Sequence, residues 1–366
     1  MRKRDIIFLL ILLIAITIVS FDLIPMHGEV VGDLVIWTDS NNDDYITKLS
    51  KEFMDKNKRV KIKIEKIDSE NAYEKISEYK ENKRPDIAFA DSDYIKYIDD
   101  DIEFNYNNKD LMGLYNNNFT QGRIKQVEKS GSMVAIPFTS NPIALYIRED
   151  KLSEYNHSIN EITSWETLFS VGIDIYNKSN GEVRIFTKDD IENLVYVIST
   201  AYVNSDTEKV ISLLKELLDS ELIGYYGENN YLFRLGSIDI ANKISEKEIL
   251  GTWVCTYPPA AKRGENRFFE FGGENIIVPK ASKSNEDAIM RFIAFCITGS
   301  EELDELFLQG EVFPASISRY NDIRLENSIE GISGESPYVI LTNISEKAPT
   351  NTNLEIYYNI FNGILK

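Results

Sequence analysis

Between positions 33 and 90 the strand and helix signals of this chain alternate, and that alternation limits its fold more than any other feature. Residues 33–38 form a strand candidate that ends in a polar loop running from Asp39 to Asp44. A helix is predicted over 44–57, because Ile46, Leu49 and Phe53 recur on one helical face. Residues 60–67 alternate apolar and charged, as a half-buried strand does. A second helix is expected over 71–82. A short buried strand, 87–90, follows Arg84-Pro85-Asp86. Such a βαβαβ order implies a parallel sheet with crossover helices. Ligands of open sheets of this kind meet the loops at the carboxyl ends of the strands. Here those loops carry Asp39 and Asn41, then Asp91 and Asp93.

Further along, 133–137 reads as a strand entering a turn and 143–147 as another strand. Ser164-Trp165-Glu166 looks like a helix start, with a serine cap and an acidic first turn. Helices are expected over 189–203, 206–220, 286–298 and 353–362, and strands over 250–256 and 275–278. Ser336-Pro337-Tyr338 reads as a surface loop. The roughly 340 residues after the N-terminal segment exceed one ordinary core, so two domains are expected.

That N-terminal segment is of another kind. Arg2-Lys3-Arg4 leads into an apolar run from Ile6 to Phe21. A basic start before such a run reads as an export signal or a membrane anchor, which puts the folded part outside the cytoplasm. No small-x-small cleavage site follows, which favours an uncleaved anchor. No cysteine lies near its end to carry a lipid. No second apolar run reaches transmembrane length, so the chain is not a permease.

The net charge of −19 repels phosphate backbones and anionic headgroups, which argues against nucleic-acid binding. A solvated acidic surface is the first reading of that charge, and an acidic cleft for cationic ligands the second. Cys255 and Cys296 are the only cysteines; both sit in apolar surroundings, as free buried thiols or as a pair. Catalytic motifs are missing: there is no GxSxG elbow, no HExxH and no P-loop, and only His27 and His157 supply imidazoles. Asp39-x-Asn41-x-Asp43 starts like an EF-hand loop, but Asp44 stands at the glycine position and Ser50 at the glutamate position, so a loop or helix cap is expected. Tyr225-Tyr226 could hold ferric iron as phenolates, in a chain with 20 tyrosines.

Taken together, several segments resemble the extracellular solute-binding proteins of ABC transporters, in their maltose-binding-protein-like, carbohydrate-uptake branch. Leu34-Val35-Ile36-Trp37 is similar to that family's first strand, which ends in tryptophan. Pro85-Asp86-Ile87 resembles its Pro-Asp-hydrophobic segment. Ala135-Ile136-Pro137 followed by Ala144-Leu145-Tyr146 resembles its crossover between lobes, and Ser164-Trp165-Glu166 its Trp-centred helix start. Phe233 with Gly236 and Ala241, Gly251-Thr252-Trp253, Gly272-Gly273 before Ile276, and Gly310 with Pro314-Ala315 follow in the family's order.

The resemblance implies an α/β, two-lobed, periplasmic-binding-protein-like fold of type II, each lobe a mostly parallel sheet flanked by helices. It implies residues 1–28 as signal or anchor, 32–140 plus 278–310 as one lobe, and 141–277 plus 311–366 as the other. It further implies a binding protein rather than an enzyme, with no cofactor and no metal. Its cleft would close on a small molecule, most readily a sugar or oligosaccharide. Expected ligand contacts are Asp39, Asn41, Asp91, Asp93, Thr139, Ser140 and Asn141, with Trp253 as a stacking surface and Tyr257 beside it. The implied partner is an ABC permease with a cytoplasmic ATPase, and the implied state is a monomer at the outer face of a bacterial membrane. A tethered sensor of the same fold, a polyamine or ferric-ion receptor, and an exported enzyme with a carboxylate pair are the alternatives.

Overall fold

A computed structural model describes residues 30–38, 43–67, 84–92, 116–129, 132–202, 207–225, 230–262, 264–279, 285–350 and 354–365. The apolar run at 6–21, the expected helix at 71–82, Asp39, Asn41, Asp93 and Tyr226 lie outside them. Among the described residues no helix is long and apolar enough to cross a membrane.

The strands that form the two larger sheets are, in chain order, β1 (Gly32–Thr38), β2 (Val60–Lys66), β3 (Ile87–Asp91), β4 (Ile136–Pro137), β5 (Pro142–Arg148), β6 (Phe233–Gly236), β7 (Trp253–Thr256), β8 (Phe269–Glu270), β9 (Glu274–Ile277) and β10 (Ile332–Ser333). The first sheet runs β2-β1-β3-β9-β4. Its first three strands are parallel, as the alternation requires, with Leu34 opposite Ile62 and Ile36 opposite Ile64. Strand β9 joins antiparallel to β3 and to β4.

Period-two patterning explains how this sheet is buried on both faces. Leu34 and Ile36 enter one core with Ile46, Leu49 and Phe53 of the helix Asp43–Lys56 and with Ala288, Ile289 and Phe292 of the helix Glu286–Ala294. Val35 and Trp37, on the other face, meet Ala88, Val127 and Ile277. Phe53 packs edge-on against Phe292, with ring centroids 5.2 Å apart.

The second sheet runs β6-β5-β7-β10, with β8 also on β5. Strand β5 is buried along its whole length. Ile143, Leu145 and Ile147 face one core, and Ala144 and Tyr146 face another. Here the expectation of a mostly parallel sheet fails. Strands β6, β7 and β8 all pair antiparallel with β5, and only β7 with β10 is parallel. Direction depends on whether a connection returns the chain to the end it left, and a pattern of alternating elements does not record that.

Two boundaries move as well. Strand β9 begins at Glu274 in the first sheet, so the stretch 274–277 does not belong with the second sheet. Val312 and Ala315 pack in the first core while Phe313 packs in the second. Ser336-Pro337 is not a loop but the start of the helix Pro337–Lys347, whose Tyr338, Ile340, Leu341 and Ile344 are buried. A serine followed by proline at the first helical position is a start signal, and the sequence reading missed it. Cys255 and Cys296 are free, buried thiols in different cores, and burial pushes both well above the usual range.

Ser164 caps the helix Trp165–Lys178 as expected, accepting from the Thr167 N–H. That helix also carries Asp174, which lies 2.7 Å from His157 Nε2, while Glu161 lies 2.8 Å from Nδ1. Glu161 first, then Asp174, raises the imidazole above its ordinary value of 6.5. A raised folded value means stabilisation that is full below about pH 6.5 and is lost as pH rises through the folded value. The melting-temperature deficit of His157→Gln should therefore be largest near about pH 6 and smaller at about pH 9. An equal deficit at both would exclude a charged His157 as its cause.

Candidate functional site

Among the described residues three chain segments pass between the sheets, and they hold one another. Ser140 N–H donates to the Phe313 carbonyl at 2.8 Å, Phe271 N–H to Asn141 at 3.0 Å, and Ala315 N–H to Phe138 at 2.9 Å. Gly273 lets the second segment pass the first. Its φ is +125°, and a Cβ there would stand 2.3 Å from the Thr139 carbonyl oxygen, so only glycine fits without moving backbone.

Beneath these crossings lies Arg123, 0% exposed, from the helix Gln121–Gln126. Its guanidinium donates to Thr139 O (3.1 Å), Ser92 Oγ (3.1 Å), Gln126 Oε1 (2.6 Å), Glu274 O (3.2 Å) and Asn275 Oδ1 (2.8 Å). One side chain thus ties β3, the first crossing and the second. Glu270, 1% exposed, accepts from Ser345 Oγ at 2.5 Å and Thr120 Oγ1 at 3.4 Å. Burial raises its carboxyl, against the pull of the Arg123 charge.

Above the crossings is a cleft of about 460 Å³. Its first wall carries Asp91 at the end of β3, Glu274 directly across from it on β9, and Tyr45, whose hydroxyl donates to the Glu274 carboxylate. Glu311 belongs to the third crossing and pairs with Lys48 at 3.0 Å. The floor is Thr139, Ser140, Asn141, Phe271, Gly272 and Gly273.

The opposite wall comes from two helix starts. Glu192 and Asn193 open the helix Ile191–Ala201, and Ser237, Ile238 and Asp239 open the helix Ile238–Ser245. Asp190 fixes the first of these. It is buried and accepts from Arg234 Nε at 2.8 and 2.9 Å and from the Leu235 N–H at 3.3 Å. Burial pushes its carboxyl up to about 6, against the pull of Arg234. Asn193 Nδ2 donates to the Leu235 carbonyl at 2.9 Å, and Tyr357 OH to Glu192 at 3.3 Å. Phe271 is half-buried and stacks on Tyr196 at 4.4 Å, presenting one apolar patch to the cleft.

Of the residues expected from the sequence, Asp91, Thr139, Ser140 and Asn141 line this cleft. Asp39, Asn41 and Asp93 lie outside the described residues. Trp253 does not line it. Its ring is 0% exposed in the second core, 5.8 Å from Tyr231, with the Arg148 guanidinium 5.4 Å from its centroid. Strand alternation from Cys255 turns it inward, away from the crossings. Tyr257 is also off the cleft; it packs edge-on against Phe268 under Arg267. Tyr225 is 70% exposed, beneath the Lys188 ammonium. Glu192, Asn193, Ser237, Asp239, Phe271, Glu274 and Glu311 were missed. Only Gly272-Gly273 gave a signal, a tight turn next to Phe271 and Glu274.

The family model of the bacterial extracellular solute-binding proteins matches residues 48–323. No curated protein matches the sequence significantly. Among solved structures, the cyclic α-maltosyl-1,6-maltose binding protein of Arthrobacter globiformis is similar over 92% of this chain and 94% of its own, with a TM-score of 0.70 and 17% identity. The ABC transporter associated binding protein of B. animalis subsp. lactis, solved with β-1,6-galactobiose, covers 91% and 90%, with 0.67 and 15%. An ABC substrate-binding protein of Listeria monocytogenes, solved with cycloalternan, covers 90% and 98%, with 0.63 and 12%. At these identities the likeness is one of fold.

Proposed function

We propose, for a chain that belongs to the bacterial extracellular solute-binding proteins, that its cleft takes up a sugar or short oligosaccharide and that the closed complex delivers it to an ABC permease. The protein binds and performs no chemistry on what it binds. The observation that carries the ligand class is the lining. Carboxylates, hydroxyls and the Asn141 and Asn193 amides surround the aromatic rings of Tyr45, Phe271 and Phe313. Carboxylates and amides accept and donate to sugar hydroxyls, and an aromatic face covers a C–H surface. The sugar complexes of the structurally similar proteins support the same class. The basic and apolar N-terminal segment supports a place at the outer face of the membrane, beside the permease.

Closure is the expected working step, because the two walls come from different sheets, which three segments join among the described residues. A ligand drives it by binding the closed form better than the open one. The test is a thermal-shift panel of neutral and amine-bearing sugars. A true ligand at 100-fold over its Kd should add about 2.7 kcal/mol. Phe271→Ala should remove most of that shift. Silence across the whole panel from a folded protein would reject the sugar reading.

A further inference from the structure

The acidic balance of the chain reaches into the cleft. Asp91, Glu192, Asp239, Glu274 and Glu311 all line it, and among the described lining residues there is no lysine or arginine. They come from both walls, so closure brings like charges together while shedding their water, which is unfavourable unless a cation lies between them. The helix starts at Ile191 and Ile238 offset this only in part, at roughly half a positive charge each. Lys48 and Lys243 meet Glu311 and Asp239 at 3.0 and 3.3 Å, but these are exposed pairs and screened by solvent.

A second observation points to a ligand. Ser237 is 7% exposed and lines the cleft, and its Oγ has no hydrogen-bond partner among the described residues. It precedes the helix Ile238–Ser245 without capping it through its side chain. A buried hydroxyl left in that state is costly; its Oγ is closed off from solvent in this conformation, so a solute hydroxyl or ammonium pairs with it once the side chain turns toward the cleft.

We propose that the solute is a cationic amino sugar, with its ammonium held among the carboxylates of both walls and a hydroxyl or the ammonium itself paired with Ser237 Oγ. This rests on the sugar-binding reading of the cleft and narrows it. The charge supplies the preference for the closed form, since the ammonium meets Asp91, Glu274 and Glu311 on one side and Glu192 and Asp239 on the other only when the walls approach.

The experiment is calorimetric titration of the full chain in mild detergent, slightly below neutral pH so that amines are protonated. The probes are glucosamine and its β-1,4 disaccharide, with glucose and cellobiose as neutral counterparts, and spermidine as a cation without hydroxyls. At least one amino sugar should bind tenfold or more tighter than its neutral counterpart, a difference of about 1.4 kcal/mol. Added salt should weaken that binding and leave neutral sugars unaffected. Glu192→Gln with Asp239→Asn should erase the preference, and Ser237→Ala should weaken binding without lowering the melting temperature much. Equal or tighter binding of the neutral sugars overturns this inference and leaves the sugar reading standing. Spermidine bound more tightly than the amino sugars also overturns it. No binding by any probe to a folded protein overturns both.

Discussion

Replacing Arg123 by methionine should lower the melting temperature by several degrees or more. The substitution keeps much of the side chain's bulk and removes its charge from a site with no exposure. It leaves Glu270, 1% exposed, without the cation that offsets its burial. It also strips the buried oxygens of Thr139, Glu274 and Asn275 of their donor, and a buried polar group left unpaired costs about 1–3 kcal/mol. At about 2–4 °C per kcal/mol that is a readily measured shift. The loss also has a pH signature. Without Arg123 the Glu270 carboxyl rises further above its unfolded value, so the stability it contributes is present at low pH and is lost as pH rises through the folded value. The deficit of the variant should therefore be smaller at about pH 5 than at about pH 8. Adding Glu270→Gln should return part of the stability, because the neutral amide no longer needs a cation. Strict additivity of the two substitutions would show that the charges are not coupled. The consequence for function lies in the crossings. Arg123 holds the carbonyls of Thr139 and Glu274, so a folded Arg123→Met protein should bind its solute more weakly even where the lining is unchanged.

Replacing Trp253 by alanine should be as damaging to stability and should leave binding intact. The ring is fully enclosed, next to Tyr231, and its Nε1 donates to the Leu250 carbonyl at 3.2 Å. Truncating a buried Trp costs about 3–5 kcal/mol, through lost transfer energy and the cavity left behind. The Arg148 guanidinium would also lose the ring it covers, although it keeps Asp150 at 2.7 Å. Well below its melting temperature the variant should match the parent's affinity for whichever solute stabilises the parent. An affinity lost with the melting temperature preserved would place Trp253 in the binding site after all.

The Trp253 case shows where the sequence stopped being legible. Gly251-Thr252-Trp253 has the spacing of a ligand-stacking tryptophan, yet spacing does not say which face of β7 looks at the cleft. Register against β5 decides that, with Trp253 opposite Arg148 and Cys255 opposite Tyr146. The helix Asp43–Lys56 and strands β1, β2 and β3 were readable because their apolar residues repeat with local periods. The first crossing was readable too, because Thr139, Ser140 and Asn141 interrupt two strand signals. The second sheet's direction was not, since β6, β7 and β8 reach β5 from positions far along the chain.

The two-lobed binding fold was legible through the family resemblance; by itself the sequence determined the α/β alternation, the parallel start of the first sheet and one crossing at the cleft floor. Those depend on periodicity and turn chemistry, which act between neighbours in the chain. The sign of the cleft was decided only by tertiary structure. A chain with 59 acidic residues places carboxylates everywhere, and nothing local distinguishes Glu192 from any other. Folding brings positions 91, 192, 239, 274 and 311 around one space, and electrostatic energy depends on distance through space, not along the chain.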